Sequence, residues 1–144
     1  MAWLTALDPR QSEFISRRIP IAAVRSSRWC RAVDTARLLD LGTVRLTPVL
    51  DSVFNASEQL EDRKKRATEK IIRDHRGKSG VLALVGHQAN IIDLTDIAPA
   101  SGAAVVVRVD TQGHIKVIGE LEAPIPDRYA LNITMHAADP LMNS

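Results

Sequence analysis

Val81-Leu82-Ala83-Leu84-Val85-Gly86-His87-Gln88 is an unbroken apolar run of strand length that stops at a glycine and a histidine. Continuous rather than alternating hydrophobicity marks a strand buried on both faces, and such strands belong to parallel sheets covered by helices. Upstream, Ile21-Ala22-Ala23-Val24 is a second, shorter run of the same kind, entered through Pro20 and left through Ser26-Ser27. Two helical patterns separate the runs. The first extends from about Trp29 to Leu41 with Ala32, Val33, Ala36 and Leu39 on one face; Ser26 or Ser27 is placed to cap its start and Gly42 to end it. The second covers about Ser57 to His75, turns Leu60, Ala67 and Ile71 inward, and pairs Glu61 with Lys65, Asp62 with Arg66 and Glu69 with Arg73 on its wet face. Thr43 to Asn55 reads as loop, interrupted at Pro48.

A strand, helix, helix, strand order is a crossover unit, which sets the two strands parallel in one sheet. Ser26-Ser27 with Arg31, and Gly86-His87, are thereby predicted on the same sheet edge, the edge where open α/β folds bind ligands. A short helix from Ala89 to about Thr95 follows His87. Ala103 to Val109 and His114 to Leu121 then read as a hairpin around Asp110-Thr111-Gln112-Gly113. At the other end Asp8-Pro9 opens a helix to about Arg18. The prediction is a three-layer α/β/α sandwich, mainly parallel with a C-terminal hairpin, over residues 1–121, followed by an irregular tail over 122–144.

With 144 residues, 45% of them apolar and 25% charged, the chain has the composition of one globular domain. Its single cysteine, Cys30, excludes an internal disulfide framework and a multi-thiolate zinc cluster. No apolar run approaches the ~20 residues of a membrane span. The N-terminus shows no signal peptide, which leaves the compartment open. Two Phe, one Tyr and two Trp are poor equipment for stacking single-stranded bases, so a nucleic-acid partner is not expected. The net charge of +2 is unevenly spread: residues 1–50 hold eight arginines against four acids. An anion-attracting field is therefore expected from the first third.

Arg31 falls in the first turn of its helix, where unsatisfied N–H groups and a guanidinium together suit an oxyanion. His87, at a second helix start on the same predicted edge, can donate hydrogen bonds to a phosphate or move a proton. Each signal alone fits an ordinary structural role.

Together these residues resemble the histidine phosphatases, or phosphoglycerate-mutase-like superfamily. Ser26-Ser27-Arg28-Trp29-Cys30-Arg31-Ala32-Val33-Asp34-Thr35-Ala36 is similar to that family's Ser-Ser/Pro-x-x-Arg-x-x-x-Thr-Ala motif. Leu84 to Ile91 is similar to the segment carrying its second active-site histidine, and Leu4-Thr5 with Gln11 to its Leu-Thr-x-x-Gly-x-x-Gln segment. The resemblance implies a phosphohydrolase acting on a phosphate monoester or phosphohistidine, with a phosphorylated small molecule or phosphoprotein as partner and with no metal or cofactor. It implies Arg31, with Ser27, as phosphate ligands and His87 as the histidine that steadies the transferred phosphoryl group. The family's nucleophile is a histidine in an Arg-His-Gly motif at the end of a first strand. No Arg-His-Gly occurs in this sequence, and His75, His114 and His136 sit in a helix end, a hairpin and the tail. Asp8 stands where the family has Gly, and Thr95-Asp96 where it has Thr-Gly. The expectation is a chain truncated at its N-terminus and weakly active or inactive, with Asp51 and Glu58 as the nearest candidates for the proton donor. Two alternatives stand beside it: a non-catalytic module that binds a phospho-ligand, and a structural fragment stabilised as a homo-oligomer through an open sheet edge.

Overall fold

A computed structural model of the chain describes residues 20–121. The helix expected from Asp8, the segment Leu4-Thr5 with Gln11, the tail from Glu122 and His136 lie outside these residues. The described elements run β1 (Ile21–Ser26), α1 (Cys30–Leu38), β2 (Val44–Leu46), a 3-10 turn (Pro48–Leu50), α2 (Glu58–Asp74), β3 (Val81–Val85), α3 (Gln88–Thr95), β4 (Ala104–Val109) and β5 (Ile115–Leu121).

β1 and β3 are parallel neighbours, with Val24 opposite Ala83 and Ser26 opposite Val85, as the crossover demands. Alternation along β3 sends its side chains to two cores. Ala83 and Val85 pack with Val24 of β1 and with Ala32 and Ala36 of α1, beside Leu39 and Ala104. Leu82 and Leu84 pack on the opposite face with Ile72 of α2, Leu50, and the partly buried Leu94, Val107 and Ile115. Helices therefore cover both faces, and α/β/α layering follows from a strand with no polar face to expose. Among the described residues no helix is long and apolar enough to cross a membrane.

Several boundaries differ from the sequence reading. Thr43 to Asn55 is not simply loop: Val44–Leu46 forms β2, parallel to the outer edge of β1, and Pro48–Leu50 is a 3-10 turn. A three-residue strand has too short a pattern to read; the free main-chain groups of β1 create it. β1 is buried only toward its end, at Val24 and Ser26, while Ala22 and Ala23 are exposed. Neither serine caps α1. Trp29 is its N-cap residue, without a side-chain bond, and the helix stops at Leu38 rather than Leu41. Asp40 (φ 49°) takes the left-handed position expected for Gly42, which a short polar side chain tolerates.

α2 matches its predicted span, opened by Ser57, whose hydroxyl accepts from the Leu60 N–H at 3.3 Å. Its deepest residues are Thr68 and Ile72; Leu60, Ala67 and Ile71 are half-buried. Asp62–Arg66 and Glu69–Arg73 form loose pairs at 3.7 and 3.6 Å, and Lys70–Asp74 a close one at 2.7 Å. The hairpin forms around the predicted turn, where Asp110 accepts from the Gln112 and His114 N–H groups at 2.8 and 2.9 Å, with a register shift between Val106 and Val107. β4–β5 is, however, a sheet of its own, separate from β2–β1–β3.

Candidate functional site

The crossover brings two segments 60 residues apart into direct contact: the Ser27 hydroxyl lies 2.8 Å from His87 Nε2. Both are buried, and both leave the sheet at the same edge, joined by a Ser27 N–H bond to the Val85 carbonyl at 2.9 Å. The Ser27 hydroxyl also accepts from the Trp29 N–H at 3.1 Å and lies 3.3 Å from Asp51 Oδ1. That oxygen atom is committed to the site, which is why it caps no helix. The hydroxyl has one proton, so His87 and Asp51 cannot both receive it. A neutral His87 presents Nδ1 as a donor if Ser27 gives its proton to Nε2, and as an acceptor if Ser27 gives it to Asp51.

Asp51 closes the cluster from the loop after β2. Its carboxylate accepts from the Arg28 backbone N–H at 2.9 Å and from Arg28 Nε and a terminal nitrogen at 2.8 and 2.6 Å. Its carbonyl oxygen accepts from Lys64 Nζ and Asn90 Nδ2, each at 3.0 Å. Burial pushes the Asp51 carboxyl up, but the Arg28 bonds and the charges of Arg28 and Lys64 outweigh it, and the net pKa falls below the ordinary 3.8. Asp51 is thus a saturated, ionised carboxylate, a state suited to anchoring rather than to giving a proton. Glu58, the other expected donor, is exposed in the first turn of α2.

Burial depresses the pKa of His87 below 6.5; the Arg31 and Lys64 charges push the same way and Asp51 opposes them. Arg31 is exposed in the first turn of α1, close enough for its charge to act on the imidazole. The structure therefore gathers Ser27, Arg31, His87 and Asp51 at one edge. Trp29 packs edge-on against the His87 ring, with centroids 4.7 Å apart, and covers it. Arg28, Lys64 and Asn90 escaped the sequence reading. Asn90 alone had a usable signal, one helical turn beyond His87, where it bridges the Val53 N–H and the Asp51 carbonyl. Among the described residues no three His, Cys, Asp or Glu side chains cluster to hold a metal ion.

The arrangement offers an exposed guanidinium, a neutral imidazole and a helix start, a combination suited to an oxyanion. No protein-family model and no curated protein matches the sequence. Among solved structures, the protein histidine phosphatase SixA complexed with tungstate is similar to this chain: 13% identity, a TM-score of 0.57, and coverage of 78% of this chain and 75% of that one. With its parallel sheet, helices on both faces and C-terminal antiparallel hairpin, the chain has the fold of a histidine phosphatase.

Proposed function

We propose that the chain is a histidine-phosphatase-like protein whose sheet edge binds the phosphoryl group of a phosphorylated small molecule or phosphoprotein. Arg31 clamps the oxyanion, His87 donates to it, and Ser27 holds the imidazole. The observation that carries this reading is the 2.8 Å contact between Ser27 and His87 beside the Arg31 charge. The resemblance of both segments to the phosphatase motifs, and a fold shared with an enzyme bound to tungstate, support it.

Binding is favoured over turnover. The sequence has no Arg-His-Gly, and Nε2 of His87 is already engaged by Ser27. Positioning and charge neutralisation supply most of a phosphoryl-transfer rate, but they act on a nucleophile. The histidine nucleophile of an Arg-His-Gly motif has no counterpart among the site residues named here, so hydrolysis of a phosphate monoester is weak or absent.

Thermal unfolding with and without inorganic phosphate tests the reading. Phosphate should raise the melting temperature of the native chain and have no effect on Arg31→Ala. An equal rise in both removes Arg31 from the site. Rapid release of p-nitrophenol from its phosphate ester would restore the catalytic reading.

A further inference from the structure

We infer that Trp29 determines the ligand class of the edge formed by Ser27, Arg31 and His87, selecting phosphate esters whose leaving group is an aromatic ring; this rests on the reading of that edge as a phosphoryl site. Trp29 and Phe54 are the only Phe, Tyr or Trp side chains among residues 20–121. Such rings are mostly buried in a domain of this kind, because each removes a large apolar area from water. Here neither fills a core: Trp29 is 46% and Phe54 74% exposed, while Val, Leu, Ile and Ala pack the interior. Both belong to segments that build the site. Trp29 lies between Arg28 and Arg31, and Phe54 follows Asp51 in the loop that the Arg28 guanidinium holds at 2.8 and 2.6 Å.

Local structure does not account for Trp29. It is the N-cap residue of α1, where Ser, Thr, Asp or Asn would accept from a first-turn amide, and its side chain makes no such bond. Its own N–H is held by the Ser27 hydroxyl at 3.1 Å, which fixes the backbone and leaves the ring to another task. Part of the ring meets the His87 imidazole edge-on, with an interplanar angle of 62° and centroids 4.7 Å apart; the rest stays in water. Covering the imidazole needs no more than an aliphatic side chain.

The exposed part lies beside the path of a ligand. Arg31, two residues on at the start of the same helix, is close enough for its charge to act on His87, so an oxyanion between guanidinium and imidazole is a neighbour of the indole. His87 Nε2 faces Ser27, which leaves Nδ1 for that oxyanion. Because the indole touches the same imidazole, a group bonded close to phosphorus reaches it, whereas a base held away by a ribose does not. Aromatic rings gain from offset or edge-to-face contact beyond the gain from buried area. A flat aromatic leaving group therefore uses both halves of the site: the cationic edge takes its phosphoryl oxygens and the indole takes its ring.

Calorimetric titration of the full chain with phosphonates tests it, since a methylene in place of the ester oxygen prevents hydrolysis. Benzylphosphonate should bind about tenfold more tightly than methylphosphonate, and about threefold more tightly than its saturated counterpart, cyclohexylmethylphosphonate. Trp29→Phe should keep most of the preference for benzylphosphonate over methylphosphonate, and Trp29→Ala should abolish it. Inorganic phosphate that binds the native chain, together with equal affinity for benzylphosphonate and methylphosphonate, overturns the inference and leaves the phosphoryl site standing. So does a preference that survives Trp29→Ala. Equal affinity for the two ring compounds means that bulk rather than aromaticity is selected, and overturns it as well. A native chain that binds neither inorganic phosphate nor any phosphonate overturns the phosphoryl site itself, and the inference falls with it.

Discussion

The two rims of β3 are treated in opposite ways. Where the strand ends, buried polar groups are tied to one another: Ser27 meets Trp29, His87 and Asp51, and Asp51 meets Arg28, Lys64 and Asn90. Along its outward rim, Val81 and Leu82 line an apolar cleft shared with Val106, Val107 and Val109. A closed polar network fixes positions, because removing any member strands the others. Apolar contact is non-directional and fixes positions only through packing. The contrast separates a site fixed by directed bonds from a face held by packing.

Substitutions sharpen this contrast. The largest expected loss is from Leu84→Ala, because the side chain is 1% exposed in the core between β3 and α2. Urea unfolding should show about 3 kcal/mol lost, with the phosphate response retained. Asp51→Ala should cost less, about 2 kcal/mol, since Arg28 can rehydrate, yet it should also weaken the phosphate response by freeing Ser27 and the loop. If Asp51→Ala left that response intact, the network would not be positioning the site.

Protonation offers a third test. Both His87 and Asp51 have pKa values lowered on folding, so the unfolded chain binds more protons than the folded one and stability falls as pH falls. The His87 contribution is complete above 6.5 and is lost as pH drops below it; the Asp51 contribution begins to fail near 3.8. Unfolding between pH 7.5 and 5.5 should therefore destabilise the native chain, and His87→Gln should flatten that dependence. The same slope in both would place the titration elsewhere. The smallest effect lies away from both rims. Asp96 ends α3 in a left-handed conformation (φ 60°), so Asp96→Gly should stabilise by about 0.5 kcal/mol, read as a small rise in melting temperature.

Much of this was legible in the sequence for reasons that are local. β3 announces itself by five apolar residues in succession, α2 by its charge spacing, and the hairpin by Asp110 and Gly113. The meeting of Ser27 with His87 followed from the crossover rule, which turns connection order into a shared edge. What escaped depends on partners distant in the chain. β2 exists because β1 has a free edge, and Asp51 is ionised because Arg28, 23 residues earlier, reaches it. Asp51 read as a candidate proton donor, yet it is an anchor that receives more bonds than any other group at the site. The separation of the hairpin from the parallel sheet was equally invisible, since each strand carries an ordinary pattern by itself.

The central claim is that a neutral His87, tethered through Nε2 and lying beside Arg31, faces a bound oxyanion. Nitrogen resonances of the His87 imidazole, followed while tungstate is titrated into the native chain at pH 7.5, test it most directly. The expected result is a neutral ring in the free protein, a saturable shift of the His87 nitrogens, and loss of that shift in Arg31→Ala. Imidazole resonances that stay fixed while tungstate binds, or that move equally without Arg31, would contradict it.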